Sequence, residues 1–114
     1  MQSHFRVATQ NDGRAAVIVV SGELDLASSA ALEEELDRVA DSGVTHVIID
    51  LRQLEFMDST GLSTLVKAHQ RADEARWEFG LVRGPQQVQR LLSLTGVDER
   101  LTFADTPEEL LSGG

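Results

Sequence analysis

Residues 44–75 read VTHVIIDLRQLEFMDSTGLSTLVKAHQRADEA. Residues 44–51 have the β-branched centre Val47-Ile48-Ile49 and contain no turn residue, which is typical of a strand buried on both faces. From residue 59 to residue 75, apolar side chains recur at helical spacing. The expected inward positions of this helix are Leu62, Leu65, Val66, His69 and Ala72. The segment therefore predicts a buried strand that leads into an amphipathic helix.

The flanking sequence continues this alternation of strands and helices. Asn11-Asp12-Gly13 tolerates positive φ between two apolar segments, which predicts a hairpin. Thr106-Pro107-Glu108-Glu109 is a capping box that predicts a final helix. The expected strands are 5–9, 15–20, 44–51, 79–82 and 101–103, and the expected helices are 28–42, 59–75, 88–92 and 108–111. The order β-β-α-β-α-β-α-β-α predicts an α/β fold, with a mixed sheet of four to five strands and about four helices mainly on one face.

Length and composition narrow the class of protein. We expect the 114 residues, 41% of them apolar, to form a single domain spanning 1–114. No window approaches 18 consecutive apolar residues, and the first residues, MQSHFRVATQ, lack the pattern of a secretory signal, so a cytoplasmic location is expected. The absence of cysteine fits that compartment and excludes disulfides, thiolate nucleophiles and thiolate metal ligands. We expect no cofactor and no metal site.

The charge balance bears on the choice of partner. Nineteen acidic and ten basic residues give a formal net charge of -9. Nucleic acid and anionic membranes would repel such a chain, so neither is an expected partner. Two interpretations of the acidity remain, namely solubility and attraction to a basic partner.

Three loops should meet at one edge of the sheet. Residues 22–25, 55–61 and 83–87 follow the expected parallel strands. The carboxyl ends of parallel strands share an edge, and ligands of open α/β sheets bind there. The sequence therefore predicts a binding edge formed by these loops.

Residues 56–62, FMDSTGL, form the most informative of these loops. Asp58 is placed to be the helix N-cap, and Met57 and Leu62 occupy the two positions of a hydrophobic staple. Ser59 then lies on the first turn with its hydroxyl near the surface. Gly61 lowers helix propensity by about 0.5 to 1 kcal/mol relative to alanine, so either this loss is incidental or something approaches the backbone closely.

Three interpretations of the Ser59-Thr60 hydroxyl pair are open at this point. The first is an ordinary capped helix start. The second is a hydrolase nucleophile, which needs a general base in reach, yet His46 and His69 are expected roughly 15 Å or more away. The third histidine, His4, cannot be placed from the sequence and, as a lone histidine near the first residue, is a poor candidate. The third is a phosphate acceptor, because a helix N-terminus tolerates an anion while the added charge alters any interface built there.

Four pieces of the sequence, in order, resemble the bacterial anti-sigma factor antagonists, which are STAS domains. They are Gly22-Glu23-Leu24-Asp25, Ile49-Asp50-Leu51, the segment from Phe56 to Leu62, and the segment from Gly84-Pro85 through Leu91-Leu92 to Thr95-Gly96. The resemblance spans nearly the whole chain.

The resemblance implies a phosphorylation switch. In such proteins the serine after the aspartate, here Ser59, is phosphorylated by the partner anti-sigma factor, a serine kinase that supplies ATP and magnesium. The unphosphorylated form binds that kinase and frees its sigma factor, the phosphorylated form lets go, and a serine phosphatase resets the cycle. The implied docking residues are Asp25, Asp58, Thr60, Gly61, Leu62, Gly84 and Pro85. Such a protein is a binding protein and not an enzyme.

Two other functions are weighed against this one. STAS domains also serve as accessory or scaffold subunits of transporters and stress complexes, without sigma-factor regulation. Asp50 could alternatively be a receiver-type phosphoacceptor, although the only lysine, Lys67, lies in the middle of a helix. Elsewhere, Glu33-Glu34-Glu35 is expected to be a solvated helix face in which Glu34 pairs with Arg38.

Overall fold

The computed structural model describes residues 4–112 and confirms the predicted order of elements. An additional 3-10 helix, Val97–Arg100, precedes the last strand. The strands are β1 (Arg6–Asp12), β2 (Ala15–Leu24), β3 (His46–Met57), β4 (Glu78–Val82) and β5 (Phe103–Ala104), and the helices are α1 (Ser29–Ala40), α2 (Ser59–Ala75), α3 (Gln86–Leu94) and α4 (Pro107–Ser112). The bounds of α2 coincide with those expected from the sequence.

The five strands form one sheet in the order β1-β2-β3-β4-β5. The hairpin makes β1 antiparallel to β2, while β2, β3, β4 and β5 run parallel. At the centre of the sheet, Ile18 lies opposite Ile49, and Ile49 lies opposite Leu81. Because the parallel strands point the same way, the chain leaves β2, β3 and β4 at a common edge, as predicted.

The helices divide unequally between the two faces of the sheet. One face carries the main core, in which side chains from alternate strand positions pack against α1, α2 and α3. The other face carries a smaller cluster of Val17, Ile48 and Val82, against which Leu110 and Leu111 of α4 pack. Three helices on one face and a short fourth helix on the other confirm the prediction that the helices lie mainly on one face.

The central strands are longer than the sequence indicates. We expected loops at 22–25 and 55–61, but β2 continues to Leu24 and β3 continues to Met57. The extra residues pair across two irregularities of register, so that Gly22 lies opposite Leu54 and Leu24 lies opposite Met57. In β3 the buried residues after Leu51 are Leu54 and Met57, a spacing of three, because the bulges shift the alternation, and this explains why a period of two is not visible in that part of the sequence.

The expectation of a solvated face at Glu33-Glu34-Glu35 is wrong for its third member. Glu35 is buried, accepts a hydrogen bond from the hydroxyl of Thr9 on β1, and binds Arg38 at 2.5 Å. The predicted pair of Glu34 with Arg38 is therefore replaced by Glu35 with Arg38. Glu35 links α1 to the edge strand, a contact between residues far apart in the sequence.

Candidate functional site

The beginning of α2 is a capped helix start, as the sequence predicts. Asp58 has extended backbone angles, and its Oδ1 accepts a hydrogen bond from the N–H of Gly61 at 2.9 Å. The carbonyl of Asp58 accepts the helical bond from the N–H of Leu62 at 2.9 Å. Met57 and Leu62 are both buried in the main core, in agreement with a hydrophobic staple. The cap and the staple together fix the direction in which α2 leaves the sheet.

Ser59 is the first residue of α2 and is exposed to solvent. Thr60 beside it is half-buried, and its carbonyl accepts a hydrogen bond from the hydroxyl of the buried Thr64. The two adjacent hydroxyl residues therefore differ in access. Of the pair, Ser59 is the one that another protein can reach more fully.

The structure gives a reason for the glycine at position 61. A Cβ atom there would lie 2.2 Å from the carbonyl oxygen of Leu24 and 2.8 Å from the Cγ of Met57. The carbonyl of Leu24 also accepts a hydrogen bond from the N–H of Asp58 at 3.3 Å. The close approach that the sequence left open is thus made by the end of β2, which packs directly against the first turn of α2.

Asp25 lies in the turn that follows β2, and its carboxylate is used within that turn. Its Oδ1 accepts hydrogen bonds from the N–H groups of Ala27 at 3.0 Å and Ser28 at 3.2 Å. Its carbonyl accepts hydrogen bonds from the N–H of Ser29 at 2.9 Å and from the hydroxyl of Ser29 at 2.7 Å. The side chain of Asp25 therefore shapes the turn between β2 and α1.

Gly84 and Pro85 lie beyond the end of β4, where α3 begins. The N–H of Gly84 donates to the side chain of Gln89 at 2.9 Å, and a Cβ on Gly84 would lie 2.8 Å from the carbonyl of Leu51. The side-chain amide of Gln87 donates to the carbonyl of Glu55 on β3. The start of α3 is thus attached to the strand that leads to Ser59.

The residues of the predicted site meet at one edge, but not all of them face solvent. We call this the carboxyl edge and define it as residues 24–28, 57–61 and 83–87. Asp25, Asp58 and Thr60 are half-buried, as are Gly84 and Pro85, whereas Gly61 and Leu62 are buried. Gly61 and Leu62 can support a docking surface from below, and the exposed group at its centre is Ser59.

Sequence reasoning missed two groups of residues at or beside this edge. The polar side chains Ser28, Gln87 and Gln89 hold the edge together through bonds to the main chain at Glu23, Glu55 and Gly84. Leu26 and Phe56 are large apolar side chains that remain exposed. Ser28, Gln87 and Gln89 carry no sequence signal, because their hydrogen-bond partners are set by the tertiary fold. Leu26 could have been noticed in the sequence, because it is an apolar residue in a turn.

The two enzymatic alternatives find little support in the geometry. Asp50 is 3% exposed and lies inside β3, where Arg52 binds its carboxylate at 2.8 Å, so it is not an open phosphoacceptor. The hydrogen bonds that Arg52 donates to the carboxylate of Asp50 raise the pKa of Arg52. His46 begins β3, a strand of 12 residues that is about 35 Å long. It therefore lies at the end of the strand opposite Ser59, even farther from Ser59 than expected.

The histidine in α2, His69, is a packing residue. The ring of His69 lies 5.9 Å from that of Phe79, and its Nδ1 is buried without a hydrogen-bond partner among the described residues. Within residues 4–112, no three His, Asp or Glu side chains are grouped so that they could hold a metal ion. No helix of that part of the chain has the length and apolar character to cross a membrane.

Comparison with known proteins defines the family. The STAS domain profile matches residues 6–110, and the chain belongs to the STAS domain family. It is 33% identical over 98 residues to the anti-sigma-F factor antagonist RsfB of Mycobacterium tuberculosis, covering 86% of this chain and 80% of that protein. This relative is named as an anti-sigma factor antagonist.

Solved structures agree with this assignment. A crystal structure of an anti-sigma factor antagonist from Mycobacterium paratuberculosis superposes with a TM-score of 0.86 at 27% identity, covering 96% of this chain and 92% of the other. The fold also matches unphosphorylated SpoIIAA, at a TM-score of 0.78 and 21% identity, with 93% of each chain covered. Phosphorylated SpoIIAA of Bacillus matches at 0.70 and 20% identity, covering 95% of this chain and 96% of the other. At these identities SpoIIAA supports the fold alone.

Proposed function

We propose that this protein is an anti-sigma factor antagonist controlled by phosphorylation of Ser59. The unphosphorylated form binds an anti-sigma factor serine kinase and releases its sigma factor, and phosphorylation of Ser59 abolishes that binding. The observation that carries the proposal is the exposure of Ser59 at the capped start of α2, on the edge where three parallel strands end.

The fold can carry a phosphate at this position. Ser59 contributes no side chain to the core, because it is exposed, and the positive end of the helix dipole stabilises a nearby anion. The N–H of Gly61 is already bonded to Asp58, so the cap does not need the serine hydroxyl. Phosphorylation is therefore expected to leave the domain folded.

The same phosphate would disrupt a partner that docks on the carboxyl edge. It adds about 1.5 to 2 negative charges beside Asp58, and a close interface would remove water from them. Changing the ratio of bound to free protein from 99:1 to 1:99 takes a difference in binding free energy of about 5.5 kcal/mol. One uncompensated buried charge costs about 3 to 5 kcal/mol. A phosphate at the centre of the interface therefore supplies most of the required change.

The relatives support the choice of partner, and the shared fold is compatible with the modification. RsfB and the Mycobacterium paratuberculosis protein are named as anti-sigma factor antagonists, which indicates an anti-sigma factor as the partner. SpoIIAA has been solved in unphosphorylated and phosphorylated forms, which is consistent with a fold that carries the modification.

The proposal assigns the chemistry to other proteins. The kinase supplies ATP and magnesium, a serine phosphatase removes the phosphate, and this chain acts as a binding protein in the cytoplasm. Asp58, Thr60 and the turn of Asp25 form the docking surface with Gly84 and Pro85 at its rim, while Gly61 and Leu62 support it from below. The assignment of 1–114 to one domain stays a prediction.

The proposal is tested by mixing the protein with a purified anti-sigma factor serine kinase of its host, ATP and magnesium, and mapping phosphate by mass spectrometry. Phosphate on Ser59 is expected, with Ser59→Ala remaining bound to the kinase and Ser59→Asp released from it. Phosphate confined to Thr60, Ser63 or another residue would contradict the assignment of Ser59. An accessory-subunit role without sigma-factor regulation predicts that none of the three proteins binds the kinase and that Ser59 receives no phosphate.

A further inference from the structure

Leu26 is the most exposed large apolar side chain among the described residues, at 78%. It lies at the tip of the turn between β2 and α1, where a polar residue would interact better with water. Single exposed leucines are common on protein surfaces, so the exposure alone decides nothing. The position of Leu26 relative to Ser59 makes it informative.

The turn holds Leu26 in a fixed place. The N–H groups of Ala27 and Ser28, which follow Leu26 directly, donate to the carboxylate of Asp25. The hydroxyl of Ser28 donates to the carbonyl of Glu23 at 2.7 Å and is itself buried. A leucine on so constrained a turn loses little backbone entropy when a partner binds it.

The same turn is joined to the helix that carries Ser59. Leu24 lies opposite Met57, the last pair of the two strands, and Leu26 and Ser59 each follow that pair by two residues, in the turn after β2 and in the first turn of α2. The carbonyl of Leu24 contacts the first turn of α2 at Asp58 and Gly61. The turn that carries Leu26 and the helix start that carries Ser59 therefore leave the same edge of the sheet from strand ends that are packed together.

The surroundings of Leu26 indicate the chemistry of what it binds. Phe56, near the end of β3, is a second exposed apolar side chain, at 49%. At the ends of β2 and β3, residues 22–28 and 53–61 contain no lysine, arginine or histidine, whereas Glu23, Glu55 and Asp58 supply negative charge. The basic side chain of the carboxyl edge, Arg83, is already paired with Asp105 at 2.8 Å. This combination fits a protein partner with an apolar cleft and a basic rim.

We propose that Leu26 is an apolar anchor that inserts into such a cleft on the protein that binds the Ser59 edge. The proposal rests on the function proposed above and adds the anchoring residue and the chemistry of the complementary surface. It also gives a reason why a phosphate on Ser59 is so disruptive, since the charge would enter an interface whose centre is apolar while the basic groups stay at the rim.

The test compares Leu26→Gln with a matched control, Leu94→Gln. Leu94 is similarly exposed, at 75%, but it is the last residue of α3, a helix that begins at the carboxyl edge and carries Leu94 about 12 Å away from it. The probe is the purified anti-sigma factor serine kinase with ADP and magnesium, and the dissociation constant is measured by calorimetry. We expect Leu26→Gln to weaken binding about tenfold and Leu94→Gln to change it by less than about twofold.

The outcomes separate this proposal from the one on which it rests. The anchor alone would be overturned if the wild type binds the kinase, receives phosphate on Ser59 and loses binding in Ser59→Asp, while Leu26→Gln changes the dissociation constant less than threefold. Equal losses in the two leucine variants would also overturn it. A wild-type protein that neither binds the kinase nor receives phosphate on Ser59 would overturn both proposals. The basic rim predicts that raising NaCl from about 0.05 to about 0.5 M slows association, and an unchanged rate would contradict that part.

Discussion

At the scale of single residues, the cap on α2 depends on Asp58. Asp58→Ala removes the oxygen that accepts the N–H of Gly61 at 2.9 Å, and we expect the free energy of unfolding to fall by about 0.5 to 2 kcal/mol. Urea denaturation measures the loss. Asp58→Asn keeps an oxygen at the cap and should recover most of the stability, so an asparagine variant as unstable as the alanine variant would contradict this role.

Gly61 tests whether packing outweighs helix propensity. Alanine favours a helix more than glycine does, yet a Cβ here would lie 2.2 Å from the carbonyl oxygen of Leu24. We therefore expect Gly61→Ala to destabilise the protein by about 1 to 3 kcal/mol in thermal or urea unfolding. Ser63→Ala, at an exposed position of the same helix, is the control and should change stability by less than about 0.5 kcal/mol. A neutral Gly61→Ala would show that the end of β2 moves away easily.

At the scale of elements, α1 is joined to β1 by Glu35. Burial raises the pKa of Glu35, but the hydrogen bonds from Thr9 and Arg38 and the charge of Arg38 lower it, and the net pKa lies below its usual value. A carboxylate with a lowered folded-state pKa stabilises the protein fully above its unfolded pKa of about 4.3. The contribution is lost as the pH falls through the lower folded-state pKa.

The lowered pKa of Glu35 predicts how the stability of a Glu35 variant depends on pH. Glu35→Gln should be less stable than the wild type at about pH 7, and the difference should shrink as the pH is lowered below about 4. Urea unfolding at several pH values measures it. Glu34→Gln alters an exposed neighbour and should show no such dependence. If the two variants behave alike, Glu35 does not join the two elements as described.

The elements also show where sequence reasoning succeeds. The bounds of α2 were predictable because its start is encoded locally, in Asp58 and the staple of Met57 and Leu62. The extension of β3 to Met57 was not, because bulges against β2 hide the alternation of buried residues. The burial of Glu35 was equally hidden, since its partner Thr9 is 26 residues away in the sequence.

The candidate site was predicted as a set of loops and not as a surface. The common edge followed from parallel topology, and the exposure of Ser59 followed from its position after an N-cap. Which residues would face inward followed only in part. The inward position of Leu62 was expected from helical spacing, but the burial of Gly61 and the use of the Asp25 carboxylate by its own turn were not, because the end of β2 packs on α2 in a way that only the folded chain defines.

At the scale of the whole molecule, negative charge at Ser59 should leave the fold intact. Ser59→Asp is expected to change the free energy of unfolding by less than about 0.5 kcal/mol, because the residue is exposed at a helix N-terminus. Thr64→Asp, at a position 3% exposed on the same helix, should be strongly destabilised in the same urea experiment. A Ser59→Asp variant that unfolds would mean that loss of binding reflects loss of structure.

The affinity of the kinase for the two forms of the whole protein tests the central claim most directly. Titration calorimetry would compare the unphosphorylated protein with protein phosphorylated stoichiometrically on Ser59, both binding the anti-sigma factor serine kinase with ADP and magnesium. We predict that the phosphorylated form binds at least about 100-fold more weakly while its circular dichroism spectrum is unchanged. Equal affinities of the two folded forms would contradict a switch at Ser59.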